Sequence, residues 1–283
     1  IENYTQDITN WVSTNILRYK FDISDNHKLE SFAGYEAQSR SDVDINISVN
    51  GIAPGTVTAA GGSSPTLTTG TGTANRLISK FFNTNYSFKD LYFVSGSLRE
   101  DASSRFAKNF RKATFWSVGA GWNISNEKFY NVSWLSELKL RGSYGTTGNE
   151  NVNPQYIGII TGGPSYGPTA NSNGYSYGEV FYPGSTVGSA ANNALRWEKQ
   201  VQSNIGFDLT FANNHFTINA DYFNKSVDGL LFTPSASLYL GTVPIPQANI
   251  GTTKSSGFDV TLNYRNSPNK KVQFNSSLTF TTA

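Results

Sequence analysis

The sequence predicts an all-β protein, an antiparallel transmembrane β-barrel. Three observations carry that expectation: side chains alternate with period two, several strands are too long for an ordinary soluble sheet, and connections alternate short and long in strict order. About ten strands are expected, over 8–24, 27–48, 76–88, 91–101, 113–125, 138–148, 195–211, 215–233, 255–266 and 271–283.

Each strand shows one apolar and one polar face. Val118, Ala120, Trp122 and Ile124 share a face, and Leu138, Leu140 and Tyr144 oppose Lys139, Arg141 and Ser143. Ile205, Phe207, Leu209 and Phe211 oppose Asn204, Gly206, Asp208 and Thr210, while Phe216, Ile218, Ala220 and Tyr222 oppose Thr217, Asn219 and Asp221. Phe258, Val260, Leu262 and Tyr264 continue the scheme, as do Val272, Phe274, Leu278 and Phe280.

Ser24–His27, Phe88–Leu91, Ala212–His215 and Asn266–Lys271 read as tight turns, with Ser125–Glu137 a larger turn on the same side. The long connections, about 49–75, 102–112, 149–194 and 234–254, are rich in Gly, Pro, Ser, Thr and Asn. A barrel with short periplasmic turns and long external loops sorts its connections this way. A girdle of aromatics at the membrane interfaces would take Trp11, Tyr19, Trp116, Trp122, Tyr222 and Tyr264, although strand aromatics of a soluble core would read alike.

Composition excludes several classes. The 283 residues contain no Cys, so disulfide frameworks, thiolate metal sites and cysteine nucleophiles are out. With 22 basic against 20 acidic residues, interspersed, there is no electrostatic footprint for nucleic acid. Aromatics make up 14% and charged residues 15%, the reverse of a disordered chain. No apolar run approaches the ~18 residues of a membrane-spanning helix. The absence of Met, and of a signal-like start at Ile1, suggests a fragment or processed chain.

Several motifs resemble, in order and spacing, the SusC/RagA-like TonB-dependent transporters of the Bacteroidetes outer membrane. They are NYSFKDLYFVSGSLRED, Ser103–Phe106 (SSRF), the Trp116–Trp122 strand, the NEKF turn and Leu138–Asn149 (LKLRGSYGTTGN). Downstream, Leu195-Arg196-Trp197-Glu198 followed by Asn204–Asp208, then Asp221–Lys225 and Asn249-Ile250-Gly251 with Gly257-Phe258-Asp259, continue the likeness. Upstream, Leu29–Glu36 does so. The resemblance implies that 1–283 is part of one receptor β-barrel domain, about ten central strands of a larger, 22-stranded barrel whose plug and closing strands lie outside this chain. Ala102 and Ala107 stand where many members carry Gly, so the loop there is expected to bend differently.

The implied function is active uptake of an oligomeric nutrient, a glycan or a peptide, across the outer membrane of a Gram-negative bacterium. The implied partners are a SusD-like surface lipoprotein, the TonB complex acting through the absent plug segment, outer-membrane lipid and the oligosaccharide or peptide substrate. A self-contained barrel or adhesin-like binding protein without energy coupling is the alternative, and a small outer-membrane barrel enzyme a second. No cofactor, metal or catalytic residue is assigned. Substrate contact is expected from the loop tyrosines Tyr156, Tyr166, Tyr175, Tyr177 and Tyr182, whose rings suit stacking on a sugar, packing of a peptide, packing of the loop on itself, or a lid subunit.

Other motifs weigh little. Gly163-Pro164-Ser165-Tyr166-Gly167 has the spacing of a nucleophile elbow without the strand and helix that one needs. Asp42, Asp44 and Asn46 imitate a calcium loop but lack its Gly and bidentate Glu, so they read as a strand's polar face. Glu100 and Asp101 are neighbours on a strand, point to opposite faces and cannot flank one bond; salt bridges are the better reading.

Overall fold

The computed structural model describes residues 2–52, 62–152, 159–162, 174–178, 180–183, 185–235, 245–266 and 272–283. The strands are β1 (Glu2–Ser24), β2 (His27–Ile52), β3 (Gly62–Phe88), β4 (Tyr92–Ser103), β5 (Lys112–Asn123) and β6 (Leu135–Asn149). Four short ones follow: β7 (Ile159–Gly162), β8 (Gly174–Tyr177), β9 (Val180–Pro183) and β10 (Ser185–Ser189). Then come β11 (Glu198–Phe211), β12 (Phe216–Asp228), β13 (Leu231–Phe232), β14 (Ala248–Asn249), β15 (Thr252–Arg265) and β16 (Asn275–Thr282).

Ten of them form one sheet in the order β1-β2-β3-β4-β5-β6-β11-β12-β15-β16, each strand antiparallel to its neighbour. The expected meander is therefore present, with long excursions inserted between β6 and β11 and between β12 and β15. The sheet curls, since Lys20 of β1 and Asp221 of β12 line the same cavity.

Register assigns the two faces. One cross-strand row runs Phe88, Tyr92, Trp122, Leu140, Phe207, Ala220, Val260, Phe280 over eight strands. The adjacent row on the other face runs Ser87, Phe93, Gly121, Arg141, Gly206, Asp221, Asp259, Thr281. The second row lines the concave side; the first lies on the convex side and stays open to the surroundings, with Leu140 43% and Phe280 63% exposed. An apolar convex face over a polar concave one is the arrangement of a barrel in lipid. All six aromatics expected in girdles fall on the convex face. Tyr92 stacks on Trp122 at the turn end, and Trp116 packs on Tyr144 farther out.

Tight turns gather at one end, as expected. Lys89 and Asp90 adopt positive φ, as do Ala212, Asn213 and Asn214. A left-handed backbone suits Asn and Asp, whose short polar side chains tolerate it. Lys28 reaches Asp90 at 2.9 Å, and its hydrogen bond holds that carboxyl below its usual range. His27 bonds the Tyr86 hydroxyl at 2.6 Å and His215 the Arg265 carbonyl at 2.7 Å, which occupies both histidines structurally.

Several boundaries differ from expectation, among them the end of β12 at Asp228 rather than 233 and the start of β16 at Asn275 rather than 271. Residues 49–75 are mostly not loop: β2 runs to Ile52 and β3 begins at Gly62, so the sheet continues far past the end of β4 at Ser103. The stretch escaped because its Gly, Pro, Ser and Thr hide a period-two pattern, while the ladder with β2 supplies the hydrogen bonds. β1 likewise starts at Glu2 rather than 8. Leu195-Arg196-Trp197 precede β11 rather than opening it. Asp42 and Asp44 sit on the strand face as expected, accepting Gln6 and Tyr4 from β1.

Candidate functional site

The concave wall carries its charges in pairs set by strand register. Arg141 on β6 lies across Gly206 on β11, and Gly206 across Asp221 on β12. The guanidinium passes over Gly206 and grips both Asp221 oxygens at 2.6 Å, while its Nε meets Asp208 at 3.2 and 3.3 Å. Asn219 donates to Asp208 at 2.8 Å. A Cβ at position 206 would lie 2.2 Å from Asp221 Oδ1, so the bridge requires glycine there. This fork satisfies two carboxylates in planar geometry, which a lysine could not do.

Lys139 lies on the same wall, its ammonium 5.2 Å from the Phe93 ring centre. Together with Lys20, Glu30, Ser95, Arg141 and Asp221 it borders a cavity of about 620 Å³. Farther out, Arg99 binds Asp101 at 2.7 Å and Ser79 at 2.9 Å and sits over Phe81, beside a second cavity of about 600 Å³. Glu100 faces the other way to Lys112 at 3.6 Å, so the two acids are salt-bridged on opposite faces, as expected. Such a wall can hold a polar solute through many weak contacts. Among the described residues no group of three or more His, Cys, Asp or Glu is placed to hold a metal ion.

Above the wall the loop bases are tied together, which sequence reasoning missed. Phe106, Val152 and Leu195 are buried in one cluster, with Phe110, Trp197 and Leu231 packed around it. Arg105 donates to the Val152 carbonyl at 2.6 Å, and Trp197 Nε1 to the Arg111 carbonyl at 2.9 Å. Asn249 accepts from Arg196 N–H and donates to the Arg196 and Gly229 carbonyls. Glu198 accepts from Leu231 N–H at 3.0 Å. The residues that carry the resemblance, SSRF, LRWE and NIG, are thus the ones that fasten the rim. The apolar residues Phe106, Leu195 and Trp197 inside otherwise polar motifs were the available signal. Ala107, where Gly was noted as usual, has φ −59°, so the bend there makes no demand for glycine.

The predicted substrate-contact tyrosines divide. Tyr175 and Tyr177 lie on β8 and Tyr182 on β9, and these strands pair as a hairpin with Tyr175 across from Tyr182. Tyr177 is 75% exposed. Tyr156 and Tyr166, like the Gly163–Gly167 motif, lie outside the described residues.

A curved antiparallel sheet with a continuous apolar outside, paired charges inside, tight turns at one end and a fastened loop rim at the other defines an outer-membrane β-barrel protein. The chain belongs to the TonB-dependent receptor family: residues 1–283 match the family described as TonB dependent receptor-like, beta-barrel. It is 34% identical over 194 residues to the TonB-dependent receptor SusC of Bacteroides thetaiotaomicron, covering 68% of this chain and 19% of that protein. It is 28% identical over 286 residues to the TonB-dependent receptor P3 of Formosa agariphila, covering 97% of this chain and 27% of that one. Among solved structures, the RagAB peptide transporter superposes with a TM-score of 0.87 at 27% identity, over 99% of this chain and 30% of that one. The siderophore receptor PirA of Pseudomonas aeruginosa, at 13% identity and a TM-score of 0.54, shares the fold. The chain therefore spans about a fifth to a quarter of the length of these curated relatives. It is a barrel segment of the Gram-negative outer membrane, in a family of receptors rather than enzymes.

Proposed function

We propose that the protein works in TonB-dependent uptake of an oligomeric nutrient, with residues 1–283 forming part of the barrel through which the nutrient enters. The observation that carries this is the concave wall, where Arg141 and Arg99 are matched to acids within the wall and the remaining surface offers Lys139 with Asn, Ser, Thr and Gly to a polar solute. The likeness to the RagAB peptide transporter favours a peptide cargo and the likeness to SusC leaves a glycan equally eligible. A SusD-like surface lipoprotein closes over the external loops, and Tyr175, Tyr177 and Tyr182 offer rings to the cargo or to that lid; Tyr156 and Tyr166 belong to the same excursion. The test is uptake of labelled oligopeptides and oligosaccharides by cells with and without the intact gene. Energy-dependent loss of one class supports the reading. Unchanged uptake of both, with the barrel absent from the membrane, removes it.

A further inference from the structure

The convex face changes character just outside its apolar band. Lys112 of β5 stands four residues beyond Trp116, and Lys199 of β11 two beyond Val201, on the same face. At about 3.3 Å per residue on strands tilted about 45°, these two positions lie roughly 5–10 Å beyond the last apolar residues of their strands, in the headgroup zone. They border a hollow of about 340 Å³, floored by Phe110 and Trp197, that also contains Arg196. Asp228 is the acid in that lining; it accepts the Thr252 hydroxyl at 3.1 Å. Lys112 is paired only loosely, with Glu100 at 3.6 Å and its own side chain 71% exposed. Among the described residues, the Arg196 guanidinium and the Lys199 ammonium have no hydrogen bond or ion pair, since Arg196 engages Asn249 through its backbone alone.

We infer that this hollow binds the phosphorylated headgroup of an outer-leaflet lipid. Three cations stand against two acids, Glu100 beside Lys112 and Asp228 across from Lys199, and the fork of Arg196 suits the oxygens of a phosphate. The position selects the source: the hollow is continuous with the lipid-facing surface, at headgroup height, so a lipid whose chains lie along Trp116, Tyr144 and Ile205 presents its phosphate there. Basic pockets at the ends of membrane-embedded segments hold lipid headgroups on the same principle. The seat also borders the rim fastening at Trp197 and Arg196, so an occupied hollow braces the loop bases from outside.

The test uses the full-length protein in phosphatidylethanolamine vesicles doped with lipid A or with dephosphorylated lipid A. Lipid retained per protein is counted by native mass spectrometry. The wild type is expected to retain the phosphorylated form preferentially. The triple variant Lys112→Gln, Arg196→Gln, Lys199→Gln is expected to weaken that retention on the order of a hundredfold, as three surface cations imply. Arg196→Gln alone should weaken it and Asp228→Asn strengthen it, so opposite shifts decide the matter even if the triple variant fails to insert. Equal retention of both lipids by the wild type, or no change in these variants, overturns the proposal. Displacement of the lipid by millimolar inorganic phosphate also overturns it, because the site would then be one for soluble anions.

Discussion

Arg141 and Asp221 are joined by two 2.6 Å hydrogen bonds across a strand that belongs to neither, and the strand between them contributes Gly206 at the crossing. The wall thus depends on an absence of side chain at one position to bring together charges 80 residues apart in sequence.

Gly206→Val should break that bridge, because even a Cβ collides with the Asp221 carboxylate. Arg141→Met should leave Asp221 without its cation and Asp208 with Asn219 alone. Since the guanidinium is 36% exposed, the loss should be modest, about 1–2 kcal/mol. Urea unfolding of the full-length protein in vesicles is the measurement, and Arg141→Lys should recover only part of the loss. Wild-type stability in Arg141→Met would mean the bridge is ornamental.

Facing can be tested with single charges. Arg placed at Val118 or Ile205, on the convex face between the levels of Trp122 and Trp116, should cost about 2–4 kcal/mol near mid-membrane. Arg at Thr261, across from Asn219 on the concave face, should cost much less. Folded yield of the intact protein in the membrane reads the difference, and equal tolerance would deny the strands a lipid face.

The rim predicts a local effect. Asn249→Ala removes one acceptor and the donors to two carbonyls, a loss of about 1–3 kcal/mol confined to the loop bases. Limited proteolysis should then cut the β6–β11 and β12–β15 connections faster while the barrel's unfolding midpoint barely moves. A shift of the midpoint alone would place Asn249 in the barrel's global stability instead.

Deleting 160–182 from the full-length protein should leave barrel assembly largely unchanged, because external loops contribute little to strand pairing. Uptake or lid docking should fall. Normal growth on the cognate nutrient with normal docking would remove the β8–β9 hairpin from the mechanism.

Residues 1–283 expressed alone should aggregate. Among the described residues β1 pairs only with β2 and β16 only with β15, so two strand edges have no partner there, and lipid cannot satisfy them. A monodisperse, heat-modifiable product would argue for a self-sufficient barrel.

Strand identity and the sorting of turns from loops were legible because both follow from local residue choice: Ile205 to Phe211 can only alternate, and Asn213-Asn214 can only turn. What was illegible depends on register. Nothing in the neighbourhood of Gly206 announces that Arg141 will pass over it, and nothing around Gly62 to Thr73 signals a strand until β2 is laid beside it. The rim fastening was half legible. Leu195 and Trp197 were noticed as a motif, but period-two reasoning put them on a strand, whereas burial against Phe106 and Val152 takes them off it.

The height of β1, β2 and β3 has a mechanical consequence. Beyond Leu77 these three strands pair only with one another among the described residues, and the last backbone links to the rest of the sheet join Arg76 and Ser104, with Ser104 N–H on the Arg76 carbonyl and Arg76 N–H on the Ser104 hydroxyl. The projecting part is therefore a lever with its fulcrum at that pair. A push on its far end is delivered to Ser104 first, two residues from Phe106, and through that ring to Trp197 and the start of β11. The projection and the fastened loop bases are therefore only a few side chains apart, Ser104 to Phe106 to Trp197.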